Sequence, residues 1–146
     1  MKARQIMTAN PEVLTPDEPV SHAARIMRDR DIGMVPVVRD TKSMSVMGII
    51  TDRDIAVRHV ADGCQGDCSV ATHMSRDDIE TVKENDDSEA VLAAMQRREV
   101  RRIPVTNQNG QLVGVIAQAD VATAREIPRE DVAETVRKIS EPPEPE

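Results

Sequence analysis

Phenylalanine, tyrosine and tryptophan are absent from all 146 residues. That absence removes the stacking platforms on which proteins hold single-stranded nucleic acid. A net charge of −7 removes any general attraction to phosphate backbones, so no nucleic acid partner is expected. The core has to be aliphatic, with eight methionines available to fill irregular gaps. Cysteine is nearly missing: Cys64 and Cys68 are too few for a disulfide scaffold and suit a reducing compartment. No apolar run approaches the ~20 residues needed to span a bilayer, and MKARQIMTANPEV at the start holds no signal-type apolar stretch. No membrane contact is expected, and a cytoplasmic location is. Also lacking are a P-loop, a Gly-rich dinucleotide fingerprint, an H-E-x-x-H and a Ser-His-Asp order, which argues against an enzyme. What remains, at 39% hydrophobic content, is a compact globular chain able to bury roughly 70% of its unfolded surface.

The strongest positive signal is an internal duplication offset by 66 to 68 residues. IMTA at 6–9 is echoed by HMSR at 73–76, DIGMVPVV at 31–38 by EVRRIPVT at 99–106, and GIITDRD at 48–54 by GVIAQAD at 114–120. Within each half the signals keep one order. VLT at 13–15 and ETV at 80–82 predict short extended segments, each followed by a polar cluster and a helix. Val20, Ala23, Ala24 and Met27 recur at helical spacing in the first half, and Val91, Ala94 and Met95 in the second. Asp86 with Glu89 has the form of a capping box. MVPVV and RIPVT, then VMGII and LVGVIA, predict paired strands; Pro36 and Pro104 mark edge strands or positions whose N–H no ladder needs. TDRDIAVRHVA and QADVATA predict closing helices. The fold class is therefore α/β, two β-α-β-β-α repeats, neither of which buries its apolar faces alone. The expected division is 1–68 for the first repeat with its N-terminal segment, 69–126 for the second, 127–140 for a C-terminal helix, and 141–146 (EPPEPE) for a disordered or extended tail.

The paired landmarks D-I-G-M-V-P-V-V with G-I-I-T-D-R-D, and V-R-R-I-P-V with G-V-I-A-Q-A-D, resemble the two repeats of a cystathionine-β-synthase (CBS) domain pair, or Bateman module. The resemblance covers almost the whole chain and is similar to the small stand-alone bacterial CBS-pair proteins of the hypoxic-response type. It implies pseudo-twofold packing of the repeats with clefts at their junction, and dimerisation into a flat disc. It also implies an adenosine-containing regulatory ligand such as AMP, ADP, ATP or S-adenosylmethionine, with no cofactor required. A homodimer is also suggested by the apolar stripe of Ile55, Val57 and Val60. No protein target can be read from these residues.

Thr51 and Asp54 sit where a strand gives way to a helix. A hydroxyl there can cap free N–H groups, and an acid three residues on can complement the helix dipole. The resemblance implies a second role, in which the pair holds the two ribose hydroxyls of a nucleotide. Asp120 repeats the acid, but Ala117 stands where the threonine should be. The resemblance also carries a phosphate-binding role onto Arg101 and Arg102, just before the Ile-Pro strand, since arginine's planar fork matches phosphate oxygens. Arg53 is a weaker candidate, and Arg97 and Arg98 read as a solvated helix end. Ile32, Val35, Ile103 and Val105 are candidates for the purine face, with ordinary core as the alternative. The resulting expectation is one nucleotide site using Thr51, Asp54, Arg101 and Arg102, and a weaker one at Asp120 without a basic pair.

A separate constellation lies in HVADGCQGDCSVATH. His59, Cys64, Cys68 and His73 have the residue types and C-x3-C spacing of a Cys2His2 zinc set. The preferred reading leaves the cysteines as free thiols or a labile disulfide, with a metal or redox sensor as the alternative function. His22 reads as a surface helix residue.

Overall fold

A computed structural model describes residues 1–76, 79–98 and 100–141. Apart from Glu141, the expected tail at 141–146 lies outside the described residues. The elements run α1 Ala3–Ile6, β1 Thr8–Ala9, α2 Val20–Arg30, β2 Met34–Val38, β3 Val46–Thr51, α3 Asp52–Asp54 continued by a π-helix Ile55–Val60, and α4 Val70–His73. They continue β4 Val82–Lys83, α5 Ser88–Arg98, β5 Arg102–Thr106, β6 Leu112–Ala117, α6 Gln118–Thr123 and α7 Arg129–Ser140. Contacts divide the chain into two units. One holds Pro11–Ile79 with Gly110–Leu112, and the other holds Met1–Asn10, Glu80–Asn109 and Val113–Glu146.

In the first-repeat unit, β2 and β3 pair antiparallel from Met34↔Thr51 to Val38↔Val46, with a bulge at Val37/Val38. The helix before them, α2, buries Val20, Ala23 and Met27 but exposes Ala24. It stops at Asp31, whose left-handed φ of 54° turns the chain, while Ile32 N donates back to Met27 O at 3.1 Å. These side chains join Leu14, Val35, Val37, Ile50, Val70 and Met74 in one aliphatic cluster. The segment around α4 closes this unit: Val70 N donates to Glu18 O (2.8 Å), and Ile49 and Ser75 exchange backbone bonds at 3.0 and 2.8 Å.

The second-repeat unit is built the same way from a more distant segment. Here it is the N-terminal ten residues that dock, Ala3 N on Asp86 O at 2.8 Å, and β1 pairs with β6 through Thr8↔Val115 and Ala9↔Gly114. The sheet order is β1-β6-β5-β4. Pro104 thus lies in an inner strand; the edge reading fails for it, and the parallel ladder with β4 begins one residue later, at Val82↔Val105. α5 buries Val91, Leu92, Ala94 and Met95, and packs against α7, where buried Thr135 accepts from Gln96 Nε2 at 2.8 Å. The expected Asp86/Glu89 capping box is not formed. Asp86 Oδ2 instead accepts from Lys83 N (2.8 Å), tightening the turn before the helix, and Asp87 O receives the first helical N–H groups.

The landmarks IMTA and HMSR are therefore the segments that lie across the glycine of each strand end. A Cβ on Gly48 would stand 2.4 Å from Ser75 O, a backbone atom, whereas one on Gly114 would first meet the flexible Met7 Sδ at 2.5 Å and then Thr8 O at 2.9 Å. Backbone cannot swing aside as a thioether can. Gly48→Ala is expected to cost on the order of 1–3 kcal/mol by overpacking, and Gly114→Ala less. Urea unfolding of both variants checks this, and the reverse order would refute it.

Candidate functional site

Thr51 ends β3 in an extended conformation (φ −114°, ψ 162°), and Asp54 closes the first helical turn. Their bonds are reciprocal: Asp54 N donates to Thr51 Oγ1 and Thr51 N donates to Asp54 Oδ2, each at 3.0 Å. This is a capping box, with aspartate in the usual place of glutamate. Asp54 is buried, and two further groups reach it that sequence reasoning missed. Ser75 Oγ donates to its two oxygens at 3.2 and 3.4 Å, and Arg58 Nε stands 3.9 Å from Oδ1. Arg58 also donates from Nη1 to His73 O and Met74 O, at 3.4 and 3.2 Å. Arg58 was findable, being four residues past an acid on a helix; Ser75 was not, since nothing local links it to Asp54.

At the second strand end Ala117 N donates to Asp120 Oδ2 at 2.8 Å, and there is no hydroxyl to return the bond. Both aspartates thus lie in a first helical turn, as the dipole reading expects, and also accept from the N–H of their strand end. Because Asp54 carries more partners than Asp120, Asp54→Ala is expected to cost about 1–3 kcal/mol, the penalty for orphaned buried donors, and Asp120→Ala less. Guanidinium titration of the two variants measures the difference, and equal losses would contradict it.

Arg101 and Arg102 line a depression of about 350 Å³ in the second-repeat unit, together with Ala117, Gln118, Ala119 and Ala122. Gln118 N donates to Arg101 O at 2.8 Å, as Asp52 N does to Gly33 O in the first repeat. Hairpin pairing thus sets Arg101 and Arg102 beside the Ala117 strand end of their own repeat, while Asp120 lines a separate depression with Met1, Gln5, Ile6 and Arg125. Arg53 is exposed, its N–H turned to Asp52 Oδ1. Arg97 and Arg98 are not a bare solvated end, since both pair with Glu80. Val35, Ile103 and Val105 have no exposed surface and belong to the core, while Ile32 is half-buried at its edge. His22 is half-exposed, its Nδ1 2.8 Å from Glu18 Oε1.

The other constellation does come together. His59 sits near the end of the π-helix, His73 ends α4, and Cys64 and Cys68 lie on the loop between. The wider π turn carries the chain into this loop, with Ala61 N bonded to Ala56 O and Cys64 N to His59 O, each five residues back. One ligand-capable atom from each of the four residues lies within 4.8 Å of the others. The two imidazole rings meet edge to face at 5.1 Å. His59 Nδ1 and His73 Nε2 are buried with no hydrogen-bond partner among the described residues, and Cys64 and Cys68 are joined as a disulfide. The disulfide expected as one alternative is therefore present, and so is the four-residue set of the other. The loop is tied to α2: Asp67 accepts from Ser21 N (3.1 Å) and Ser21 Oγ, and Val20 N donates to Cys68 O at 2.8 Å. The Ser21 hydroxyl, and after it the Ser21 amide, hold the Asp67 carboxyl below its ordinary range.

Two repeats with this element order, each closed by an incoming short helix, define a tandem-domain module. The CBS domain matches residues 3–59 and again 70–127, so the chain belongs to the CBS-domain family as a pair, a regulatory module. Among its relatives is Hypoxic response protein 1 of Mycobacterium tuberculosis, 34% identical over 140 residues that cover 96% of this chain and 94% of that one. A solved structure of Hypoxic Response Protein I with two coordinated zinc ions is 32% identical, with a TM-score of 0.76, covering 88% of this chain and 100% of that one. The CBS domain pair of protein MJ0100, in complex with methylthioadenosine and S-adenosyl-L-methionine, shares the fold at 22% identity and a TM-score of 0.72, covering 84% and 93%. Among the described residues no helix is long and apolar enough to cross a membrane.

Proposed function

We propose that this regulatory CBS pair, acting without catalysis of its own, holds a zinc ion between His59, Cys64, Cys68 and His73. The observation that carries this is the pair of buried ring nitrogens, His59 Nδ1 and His73 Nε2, left without partners beside two sulfurs. A buried polar atom without a partner costs about 1–3 kcal/mol, and a metal would relieve both at once. The donor set fits: imidazole nitrogen and thiolate sulfur are zinc's usual ligands, and four protein ligands leave no open position, the mark of a structural or sensing ion. The zinc in the 32% identical Hypoxic Response Protein I supports the same reading. Elemental analysis of the reduced protein tests it. About one zinc per chain is expected in the wild type and little in Cys64→Ser; equal metal in both would sink the reading.

An adenosine-containing ligand is a second reading, supported by the depression that Arg101 and Arg102 line. Asp120, whose Oδ1 makes no hydrogen bond among the described residues, is a freer acceptor than the heavily bonded Asp54 of the Thr51/Asp54 pair, and it lines a separate depression beside Arg125. Arg102→Ala is expected to weaken ATP binding by ten- to a hundredfold, about 1.5–3 kcal/mol for a bond to a charged group. Calorimetry decides, and unchanged affinity would remove Arg102 from the site. A homodimer is supported by Val57 and Val60, exposed at 49% and 67%. Sedimentation at micromolar concentration should find it, and monomer alone would exclude it.

A further inference from the structure

We propose that Cys64 and Cys68 are a site of reversible oxidation that empties the metal site, so that the module responds to peroxide through its zinc. The proposal rests on the zinc reading above. Its own ground is that one pair of sulfurs serves two exclusive states. In the structure Cys64 and Cys68 are bonded to each other, yet the ligand atoms of all four residues remain within 4.8 Å and the two imidazole nitrogens stay buried and unpartnered. The two sulfurs and the two ring nitrogens thus share one place, so joining the sulfurs does not require the histidines to disperse. Accessibility is graded in the same sense. His73 is buried at 6% exposure, whereas both cysteines are half-buried on a loop whose Gly63, Gln65, Gly66 and Asp67 are exposed. His59 is half-buried like the cysteines, so an oxidant from solvent reaches the sulfurs without having to pass buried His73.

The chemistry balances with hydrogen peroxide as the oxidant. One thiolate sulfur attacks a peroxide oxygen, the O–O bond breaks, and the departing hydroxide takes a proton to become water. The second thiolate attacks the resulting sulfenic sulfur, the S–O bond breaks, and the departing hydroxide takes a second proton from solvent to leave as water. The two sulfurs together lose two electrons and the peroxide gains them; zinc departs as the dication with its oxidation state unchanged. A dithiol or phosphine reductant returns the two electrons and restores both thiolates. The loop is tied to α2, because Asp67 and Cys68 O hold the Ser21 and Val20 amides of its first turn.

The test treats the reduced, zinc-loaded full chain with hydrogen peroxide. Zinc release is followed with a chromogenic chelator, and the Cys64–Cys68 peptide is mapped by mass spectrometry so that methionine oxidation does not confuse the result. Expected is zinc release that keeps pace with loss of two hydrogens from that peptide, about one ion per bridge, with zinc taken up again after a phosphine reductant. If zinc binds but stays bound through peroxide, or leaves with the cysteines as sulfinic acids or cross-links between chains, the switch is overturned and the zinc reading stands. If the reduced chain takes up no zinc at all, both fall together.

Discussion

Saturating the reduced chain with zinc is expected to raise its thermal unfolding midpoint by about 8–16 °C. A ligand at a thousand times its dissociation constant stabilises the state that binds it by about 4.1 kcal/mol, and one kcal/mol moves the midpoint of a chain of this size by about 2–4 °C. His73→Leu should abolish the shift. It should do so without lowering the metal-free midpoint much, because His73 Nε2 has no partner to lose and the ring lies at 6% exposure beside apolar Val70 and Met74. That split distinguishes a ligand from a core residue. His22→Ala is the control: its imidazole pairs with Glu18 outside the tetrad, and the zinc shift should survive. Scanning calorimetry with and without zinc checks all three, and a shift retained in His73→Leu would refute the site.

Much of this architecture was legible because it is local or repeated. The β2–β3 hairpin follows from VMGII running back along MVPVV, and the duplicated glycine announces a close approach of backbone. What the glycine approaches was not legible. The docking of Met1–Asn10 on the second repeat spans some eighty residues of sequence, as in Ala3 N to Asp86 O, and no periodicity records such a distance. Asp86 shows the opposite failure, a correct residue type in a plausible motif that found a nearer donor in Lys83 N. The tetrad was readable as residue types and spacing, since a loop of four to fourteen residues can bring its own ends together. The two unpartnered nitrogens that turn it into a metal candidate exist only in three dimensions. For the Thr51/Asp54 pair, chain-local chemistry foretold the cap, while Ser75 arrives from the segment that closes the unit and changes how much of Asp54 remains free.

Ile103→Ala is expected to be the most damaging single substitution at a position with any claim to ligand contact. Ile103 has no exposed surface on inner strand β5, and it belongs to the cluster of Val91, Met95, Val105 and Ile116. Truncating a side chain so enclosed removes its transfer free energy and leaves a cavity, together about 2–5 kcal/mol. Set against a total stability of roughly 5–15 kcal/mol, such a loss is a large share. A purine-facing side chain would behave otherwise: part of its surface would meet solvent in the unliganded chain, and its removal would spare stability while weakening binding. Ile32 is half-buried at the margin of the first-repeat cluster, and Ile32→Ala should cost distinctly less than Ile103→Ala. Urea unfolding separates the two cases, because a loss of packing lowers the midpoint at an unchanged slope. A midpoint for Ile103→Ala within error of the wild type, paired with weakened nucleotide binding, would move Ile103 out of the core and into the ligand site.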